Sequence, residues 1–361
     1  MSDIKTFGLG NFTLQSGATI PSAWISYRTF GDASSPAVVY PTWFSGSISD
    51  NEWLVGGGKT LDPSRYFIVI PALIGNGQSV SPSNWASTAD PPSPFPDVTL
   101  YDNVRAQHLL VTQGLGIRHI RAVLGWSMGA AQSFQWATQF PDMMDICVPF
   151  CGAAKTSLHN QVFLEGAKAA LLAARGLSSA GIPSSGGAGP TDEAAARTWS
   201  SEERTVGLKA FGRVYAGWGF SQTFYRQELH RKFYGASDME DFLVNFWEAW
   251  ALGKHPDNLL VMLHTWQAGD VSAQEPYNGD FAAAMAAIRA KTLVLPSKTD
   301  LYFPPEDSEH EVQSMSPGIG QLDIYPSVWG HWAGGPPGNM EDVAWLDKQL
   351  ANIFASAPKR A

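Results

Sequence analysis

The stretch LGWSMGAAQ, residues 124–132, constrains the fold more than any other part of the chain, because a serine stands between two glycines where the pattern changes. The apolar run over residues 120–124 predicts a buried strand, and residues 130–136 have the spacing of a helix. Ser127 is therefore predicted at the tip of a sharp strand-to-helix turn, where glycine avoids a steric clash or an unfavourable φ. This G-x-S-x-G arrangement is typical of a nucleophile elbow, which holds a serine hydroxyl above a parallel sheet.

Strand and helix signals alternate around this turn. The first part of the chain has strand signals at residues 37–40, 66–70, 120–124 and 146–150, with a helix signal at 102–113. Strands return at residues 291–296 and 321–325, and residues 340–354 form an amphipathic helix. This order predicts an α/β fold with a mainly parallel, doubly wound sheet, the α/β-hydrolase fold.

The middle of the chain has a different character, because helical signals follow one another without a strand between them. They cover residues 165–174, 202–213, 239–253 and 258–267, and a Gly/Ser/Pro-rich loop is predicted at 178–190. We therefore predict a sheet domain formed by residues 1–152 and 289–361, and a helical cap inserted at residues 153–288.

Composition excludes several classes of partner. The formal net charge is −9 and no block of Lys and Arg is present, which argues against nucleic acid and against an anionic membrane surface. No apolar stretch is long enough for a membrane span, and the first residues lack the apolar core of a signal peptide. A cytoplasmic enzyme is the prediction. Cys147 and Cys151 are expected to be buried free thiols, without a metal.

A serine hydroxyl needs a base and a group that orients the base, and on this fold they follow the serine in the order acid, then histidine. Asp300 follows the strand at 291–296, and His331 follows the strand at 321–325. We predict that they are the acid and the general base. Asp270 and Asp323 remain alternative acids. The other histidines precede the serine, fall in the cap or lie too close to the acid, as His108, His119, His230, His255, His264 and His310 do.

An oxyanion hole should complete the site. One donor is expected to be the backbone N–H of Met128, directly after the nucleophile, and the other should come from the loop after an early strand. That loop is residues 41–46, and either Trp43 or Phe44 could supply the N–H.

Several strings resemble the homoserine O-acetyltransferase family of α/β-hydrolase-fold enzymes. The resemblance runs from about residue 25 to the C-terminus and includes the elbow, the acid loop and the histidine loop. The matching strings are residues 75–77, 102–108, 115–117, 125–142, 167–174, 300–305 and 329–331. It implies ping-pong acyl transfer through an acyl-serine, and a homodimer formed through the caps.

The resemblance also implies where a substrate binds. A cap arginine binds the substrate carboxylate in this family, and the matching string 212–215 nominates Arg213 and, beside it, Tyr215; an arginine that pairs with a cap carboxylate is the alternative. One position departs from the family. The residue after His331 is Trp332 instead of an acidic residue, and an indole offers an ammonium group only a weaker cation–π contact.

The sequence thus predicts a serine-dependent esterase that acts on a small, fairly apolar ester without a cofactor or metal. An O-acetyltransferase that moves acetyl from acetyl-CoA to an alcohol is the alternative. An inactive fold used as a binding module is a remote third hypothesis, because such a module has no need of an intact Ser/Asp/His set.

Overall fold

The computed structural model describes residues 3–86, 94–177, 198–336 and 339–358. The predicted loop at 178–190 lies outside these ranges. Eight strands form one sheet with the order β1-β2-β4-β3-β5-β6-β7-β8. The strands are β1 (Lys5–Thr13), β2 (Thr19–Phe30), β3 (Ala37–Val39), β4 (Phe67–Pro71), β5 (Ile120–Trp126), β6 (Met144–Phe150), β7 (Lys291–Val294) and β8 (Gly320–Leu322).

From β4 to β8 all neighbouring strands are parallel, whereas β1 pairs antiparallel with β2 and β2 antiparallel with β4. The predicted α/β-hydrolase fold, with its mainly parallel sheet, is confirmed. The antiparallel hairpin of β1 and β2 was not predicted. β1 is an edge strand with mostly exposed residues, so it lacks the apolar run that marks a central strand.

Helices cover both faces of the sheet, and alternate strand residues point to opposite faces. In β5, Leu124 faces one apolar cluster and Val123 the other. The helices outside the middle segment are α1 (Leu100–Leu109, extended by a π-helical turn at Leu110–Gly114), α2 (Met128–Gln139), α10 (Phe281–Ala286), α11 (Pro305–Ser314) and α12 (Met340–Ser356). Two 3₁₀ turns lie at Ser49–Leu54 and Gly330–Trp332.

We use the name cap for the helical segment between β6 and α10. Its described helices are α3 (Leu158–Ala173), α4 (Ser201–Gly219), α5 (Gln222–Arg226), α6 (Leu229–Tyr234), α7 (Met239–Phe242), α8 (Ala249–Leu252) and α9 (Pro256–Gln267). A π-helical turn at Leu243–Glu248 joins α7 to α8. The predicted domain boundaries at 152/153 and 288/289 fall in the connections that leave β6 and enter β7.

Buried aromatic side chains join the cap to the sheet. Phe211, Trp247 and Trp266 of the cap belong to the same apolar cluster as Trp126 and Phe150 at the ends of β5 and β6. The cap therefore packs over the carboxyl ends of the parallel strands, where α/β sheets place their ligands. Across the described ranges, every helix is too short or too polar to span a bilayer.

Candidate active site

The turn between β5 and α2 has the geometry of a nucleophile elbow. Ser127 itself takes the unusual backbone conformation, with φ of 58° and ψ of −124°. The flanking glycines allow close approach instead. A Cβ on Gly125 would lie 2.3 Å from the backbone of Gly129, and a Cβ on Gly129 would lie 3.0 Å from the carbonyl oxygen of Pro41. Gly152 has the same role, because its Cβ would lie 2.4 Å from the carbonyl oxygen of Ser127.

The structure brings the three predicted catalytic side chains together. Ser127 Oγ lies 2.8 Å from Nε2 of His331, and Nδ1 of His331 lies 2.8 Å from Oδ2 of Asp300. All three residues are buried. The second oxygen of Asp300, Oδ1, accepts the backbone N–H groups of Tyr302 at 2.8 Å and Phe303 at 3.2 Å. The acid is thus fixed by the main chain on one oxygen and directs the other at the imidazole.

A threonine joins the acid loop to the histidine loop. Thr299, directly before Asp300, donates its hydroxyl to the carbonyl oxygen of Ser327 at 3.0 Å. The same hydroxyl accepts the N–H of Gly330, directly before His331, at 3.0 Å. The short separation between the two loops is therefore set by hydrogen bonds as well as by their strands.

Two aromatic rings hold the imidazole of His331. The indole of Trp126 stacks on it with the ring centroids 4.9 Å apart, and its Nε1 donates to the carbonyl oxygen of His331 at 3.0 Å. Tyr302 meets the imidazole edge-on, with the centroids 4.7 Å apart. These contacts restrict the ring to the plane in which both of its nitrogens have partners.

The alternative acids and bases lie elsewhere. Asp270 pairs with Lys155 at 2.7 Å, and His119 hydrogen-bonds to Asp145 at 2.9 Å. The backbone of Asp323 bonds to the carbonyl oxygen of Val294 in the neighbouring strand. None of these groups contacts Ser127 or His331 in the described part of the chain.

Three backbone N–H groups near the cavity remain candidate oxyanion donors. Met128 is the first residue of α2, where helix N–H groups have no partner within the helix. In the described ranges, the N–H groups of Trp43 and Phe44 have no hydrogen-bond acceptor either, and both residues line the cavity beside Ser127. Both members of the predicted pair therefore remain candidates.

A cavity of about 670 Å³ opens above Ser127 between the sheet and the cap. Its walls are mostly aromatic, and among the residues named from sequence they include Trp43, Phe44, Tyr215 and Trp332. The indole of Trp332 packs against those of Trp126 and Trp247, with centroids 5.7 and 5.2 Å away. Further lining residues that the sequence analysis did not identify are Asp50, Trp53, Asn245, Phe246, Trp250, Lys254, Trp266 and Tyr302.

Two tyrosine hydroxyls in the cavity wall lack protein partners. The hydroxyl oxygens of Tyr215 and Tyr302 are buried and have no hydrogen bond within the described residues. Burial raises the pKa of each phenol well above its usual value, so both stay protonated.

The structure does not place Arg213 in this cavity. Its Nε donates to Glu248 at 2.6 Å and its Nη1 to Glu240 at 3.2 Å, as the alternative of a paired cap arginine predicts. Hydrogen bonds from Arg213 lower the pKa of Glu240. The reason is helical geometry: Arg213 and Tyr215 are two residues apart in α4, so they point in nearly opposite directions, and Tyr215 is the one that faces the cavity.

The two cysteine thiols donate to backbone carbonyl oxygens, Cys147 to Ser133 at 3.4 Å and Cys151 to Ala333 at 3.9 Å. Cys147 and Cys151 are free and buried, and burial raises the pKa of both thiols, which keeps them protonated. Within the described ranges, no group of three His, Cys, Asp or Glu side chains is arranged to hold a metal ion.

Comparisons with known proteins identify the family of this chain and several of its relatives. The α/β hydrolase fold family matches residues 44–334. A probable esterase of Corynebacterium glutamicum is 34% identical, over 98% of this chain and 96% of its own length. An ethyl acetate hydrolase of Pseudomonas veronii is 33% identical, over 98% and 95%. The solved structure of an acetylester hydrolase from Corynebacterium glutamicum superposes with a TM-score of 0.87 at 32% identity, covering 98% of this chain and 96% of that one.

Homoserine O-acetyltransferases are also relatives, at 25% and 29% identity, which confirms the resemblance found in the sequence. The esterases match over nearly the full length and at higher identity, so the prediction of an esterase-type acyl hydrolase is confirmed. The chain belongs to the α/β hydrolase fold family and is an enzyme.

Proposed function

We propose that this enzyme hydrolyses small acetate esters through an acetyl-enzyme formed on Ser127. The observation that carries the proposal is the hydrogen-bonded series Ser127–His331–Asp300, with 2.8 Å at each step, at the base of a mostly aromatic cavity. We infer the substrate class, acetate esters, from two relatives of similar length, an ethyl acetate hydrolase and an acetylester hydrolase.

In the first half-reaction, Ser127 Oγ attacks the acetyl carbonyl carbon while Nε2 of His331 takes the hydroxyl proton. Asp300 keeps the proton of Nδ1 in place and stabilises the imidazolium that forms. The negative charge on the former carbonyl oxygen is stabilised by the N–H of Met128 and by that of Trp43 or Phe44. The tetrahedral intermediate then breaks its bond to the alkoxy oxygen, and His331 gives that oxygen the proton, so the alcohol leaves.

In the second half-reaction, water replaces the alcohol. His331 takes a proton from the water as its oxygen attacks the acetyl carbon, and returns the proton to Ser127 Oγ as acetate leaves.

Loss of one oxyanion donor typically lowers the rate about 100- to 1000-fold. The cavity volume of about 670 Å³ falls in the range of small-molecule sites.

Two observations favour water over an amino-acid alcohol as the acceptor. Trp332 packs its indole among aromatic rings where a transferase of the homoserine family has an acidic side chain for the ammonium group. Arg213, the candidate for the carboxylate, is held by Glu240 and Glu248 outside the cavity. Acetyl transfer to an alcohol remains the second candidate, because transferases are among the relatives.

The test is the intact mass of the protein after brief exposure to p-nitrophenyl acetate, followed by dilution into buffer with or without L-homoserine. We expect one acetyl adduct, absent in Ser127→Ala, that decays at the same rate in both buffers. Faster decay with homoserine, together with O-acetylhomoserine, would identify a transferase. A folded wild-type protein without an adduct would contradict the enzyme mechanism and favour a binding module.

A further inference from the structure

Lys254 is a charged side chain in the cavity wall that the proposed mechanism does not use. It follows α8 in the cap, and its Nζ donates to the backbone carbonyl oxygen of Ser45 at 2.7 Å. Within the described ranges, no carboxylate lies at ion-pair distance from this ammonium, and burial lowers its pKa while the charge of Asp50 opposes that effect. A partly buried ammonium that has a carbonyl as its partner costs free energy, so its presence calls for a reason.

Ser45 belongs to the segment of residues 40–46, which begins after β3 and contains the predicted loop 41–46 with the candidate oxyanion donors. The first carbonyl groups of this loop are held by amide side chains of the sheet domain. Nδ2 of Asn51 donates to the carbonyl oxygens of Tyr40 and Pro41 at 2.9 and 3.0 Å. Nε2 of Gln132, in α2, donates to the carbonyl oxygen of Thr42 at 2.8 Å.

The later carbonyl groups are held in the same manner. Nδ2 of Asn76 donates to the carbonyl oxygens of Trp43 and Gly46 at 3.2 and 2.8 Å. With Lys254 on Ser45, side chains thus hold six of the seven carbonyl groups of the loop, all except that of Phe44.

This arrangement fixes the donors as well as the acceptors. Each peptide unit is planar, so a carbonyl that is held on one side directs the N–H of the next residue to the other side. Oxyanion donors lower the barrier only when they already point to the place where the negative charge develops. The carbonyl groups of Thr42 and Trp43 share their peptide units with the N–H groups of Trp43 and Phe44, so Gln132 and Asn76 hold the two candidate donors directly. Lys254 acts one step further along the loop, because the carbonyl of Ser45 shares its peptide unit with the N–H of Gly46, which donates to the carbonyl oxygen of Trp43 at 3.1 Å.

Lys254 differs from the other side chains that hold the loop, because it alone comes from the cap. Its backbone is itself held, since Nη2 of Arg204 in α4 donates to the carbonyl oxygen of Lys254 at 3.0 Å. Trp250 of α8 lies beside its stem, with Nζ 6.0 Å from the ring centroid. We propose that Lys254 is a positioning residue through which the cap fixes the oxyanion loop of the sheet domain. This proposal rests on the proposed function.

The test compares two lysine substitutions in the cap. Lys254→Met keeps most of the stem and removes the donor. Lys209→Met is the matched control, because Lys209 also lies in the cap but pairs with Glu248 at 3.1 Å, away from the loop. The substrate is p-nitrophenyl acetate, and rates are expressed per active site from the burst of p-nitrophenol, so that unfolded protein is not counted. The inhibitor is an aryl trifluoromethyl ketone, which forms an oxyanion adduct with a nucleophilic serine.

For Lys254→Met we expect kcat to fall about 10- to 100-fold with KM changed less than about twofold, since the loop acts on the transition state. Affinity for the ketone should fall by a similar factor, and Lys209→Met should resemble the wild type. Lys254→Arg, which keeps a charged donor on a long stem, should lose less than Lys254→Met in both measurements.

Three results would overturn the proposal. They are an unchanged kcat in Lys254→Met, a rise in KM at constant kcat, which would make Lys254 a substrate-binding group, or equal losses in Lys254→Met and Lys254→Arg. Failure of the proposed function is separate, since the wild type would then give neither the acetyl adduct nor the burst.

Discussion

The sheet side and the cap side of the cavity are built in different ways. On the sheet side, Ser127 directly follows β5, Asp300 lies in the loop after β7, and His331 lies in the segment after β8. On the cap side, Tyr215 comes from the middle of α4 and Trp250 from α8. The predicted catalytic groups are thus placed by loops that follow strands of a regular sheet, and the cavity walls by packing between helices that are distant in sequence.

The two sides of the cavity therefore separate the chemistry from the selectivity. The sheet side supplies hydrogen-bonded polar groups at fixed distances, which any acyl transfer through a serine needs. The cap side supplies aromatic surface. Of the two tyrosines whose hydroxyls lack a partner in the described residues, Tyr215 belongs to the cap and Tyr302 to the loop that carries the acid. Changes on the sheet side should therefore lower kcat for all esters, and changes on the cap side should alter which esters are accepted.

The largest effect is expected from Asp300→Asn. Oδ1 of this residue accepts two backbone N–H groups, so an asparagine oxygen should keep that position and its amide nitrogen should face Nδ1 of His331. The imidazole would then carry its proton on Nε2 and could not take one from Ser127. We expect kcat for p-nitrophenyl acetate to fall about 1000- to 10,000-fold with little change in KM, as measured by steady-state kinetics.

The control for this substitution is Asp270→Asn, in the alternative acid. Asp270 pairs with Lys155 away from the imidazole, so kcat should stay close to the wild-type value. If Asp270→Asn lowered kcat more than Asp300→Asn, the assignment of Asp300 as the acid would be wrong.

A smaller effect, on stability, is expected at the junction of the two sides. Glu311 of α11 is buried, and its Oε1 accepts the N–H of Ala154, where the chain passes from β6 into the cap. Burial raises the pKa of Glu311 to about 8, whereas the unfolded chain should ionise near 4.5. Between these values the folded state binds more protons than the unfolded state, so the free energy of unfolding should fall as the pH rises.

Glu311→Gln tests this linkage, because the amide can keep the bond to Ala154 and cannot ionise. The wild type should lose on the order of 4 kcal/mol relative to Glu311→Gln between pH 5 and pH 9. Urea unfolding of both proteins at both pH values measures the difference. As a second readout, kcat per active site should be the same in the wild type and in Glu311→Gln at each pH. Parallel pH dependence in the two proteins would show that Glu311 is ionised in the folded enzyme at neutral pH.

The sheet and the positions of Ser127, Asp300 and His331 after its strands could be predicted because their signals are local. The G-x-S-x-G turn, the order of acid and histidine, and their positions after strands all follow from short stretches of chain. The amide side chains that hold the oxyanion loop could not be predicted, because Gln132 and Asn76 reach it from distant parts of the sequence. The hairpin of β1 and β2 has no strong apolar run, so its place at the sheet edge depends on pairing with β4.

Arg213 was predicted to bind substrate, but the structure places it outside the cavity. Arg213→Met tests this placement and has the smallest expected effect. The guanidinium pairs with Glu240 and Glu248 on a partly exposed face, and Glu248 keeps Lys209 as a partner when the arginine is lost. Arg213 does not line the cavity, so kcat/KM for neutral acetate esters should stay within about twofold of the wild type.

Tyr215→Phe, two residues along the same helix, is the matched comparison. Tyr215 lines the cavity, and its buried hydroxyl has no hydrogen bond within the described residues, so kcat/KM should fall by roughly threefold to tenfold if that hydroxyl donates to the ester. Steady-state kinetics on ethyl acetate and phenyl acetate would measure both variants. A loss in Arg213→Met larger than that in Tyr215→Phe would mean that α4 presents its other face to the substrate. Arg213 would then again be the candidate that binds the carboxylate of an amino-acid acceptor, as in the homoserine transferases.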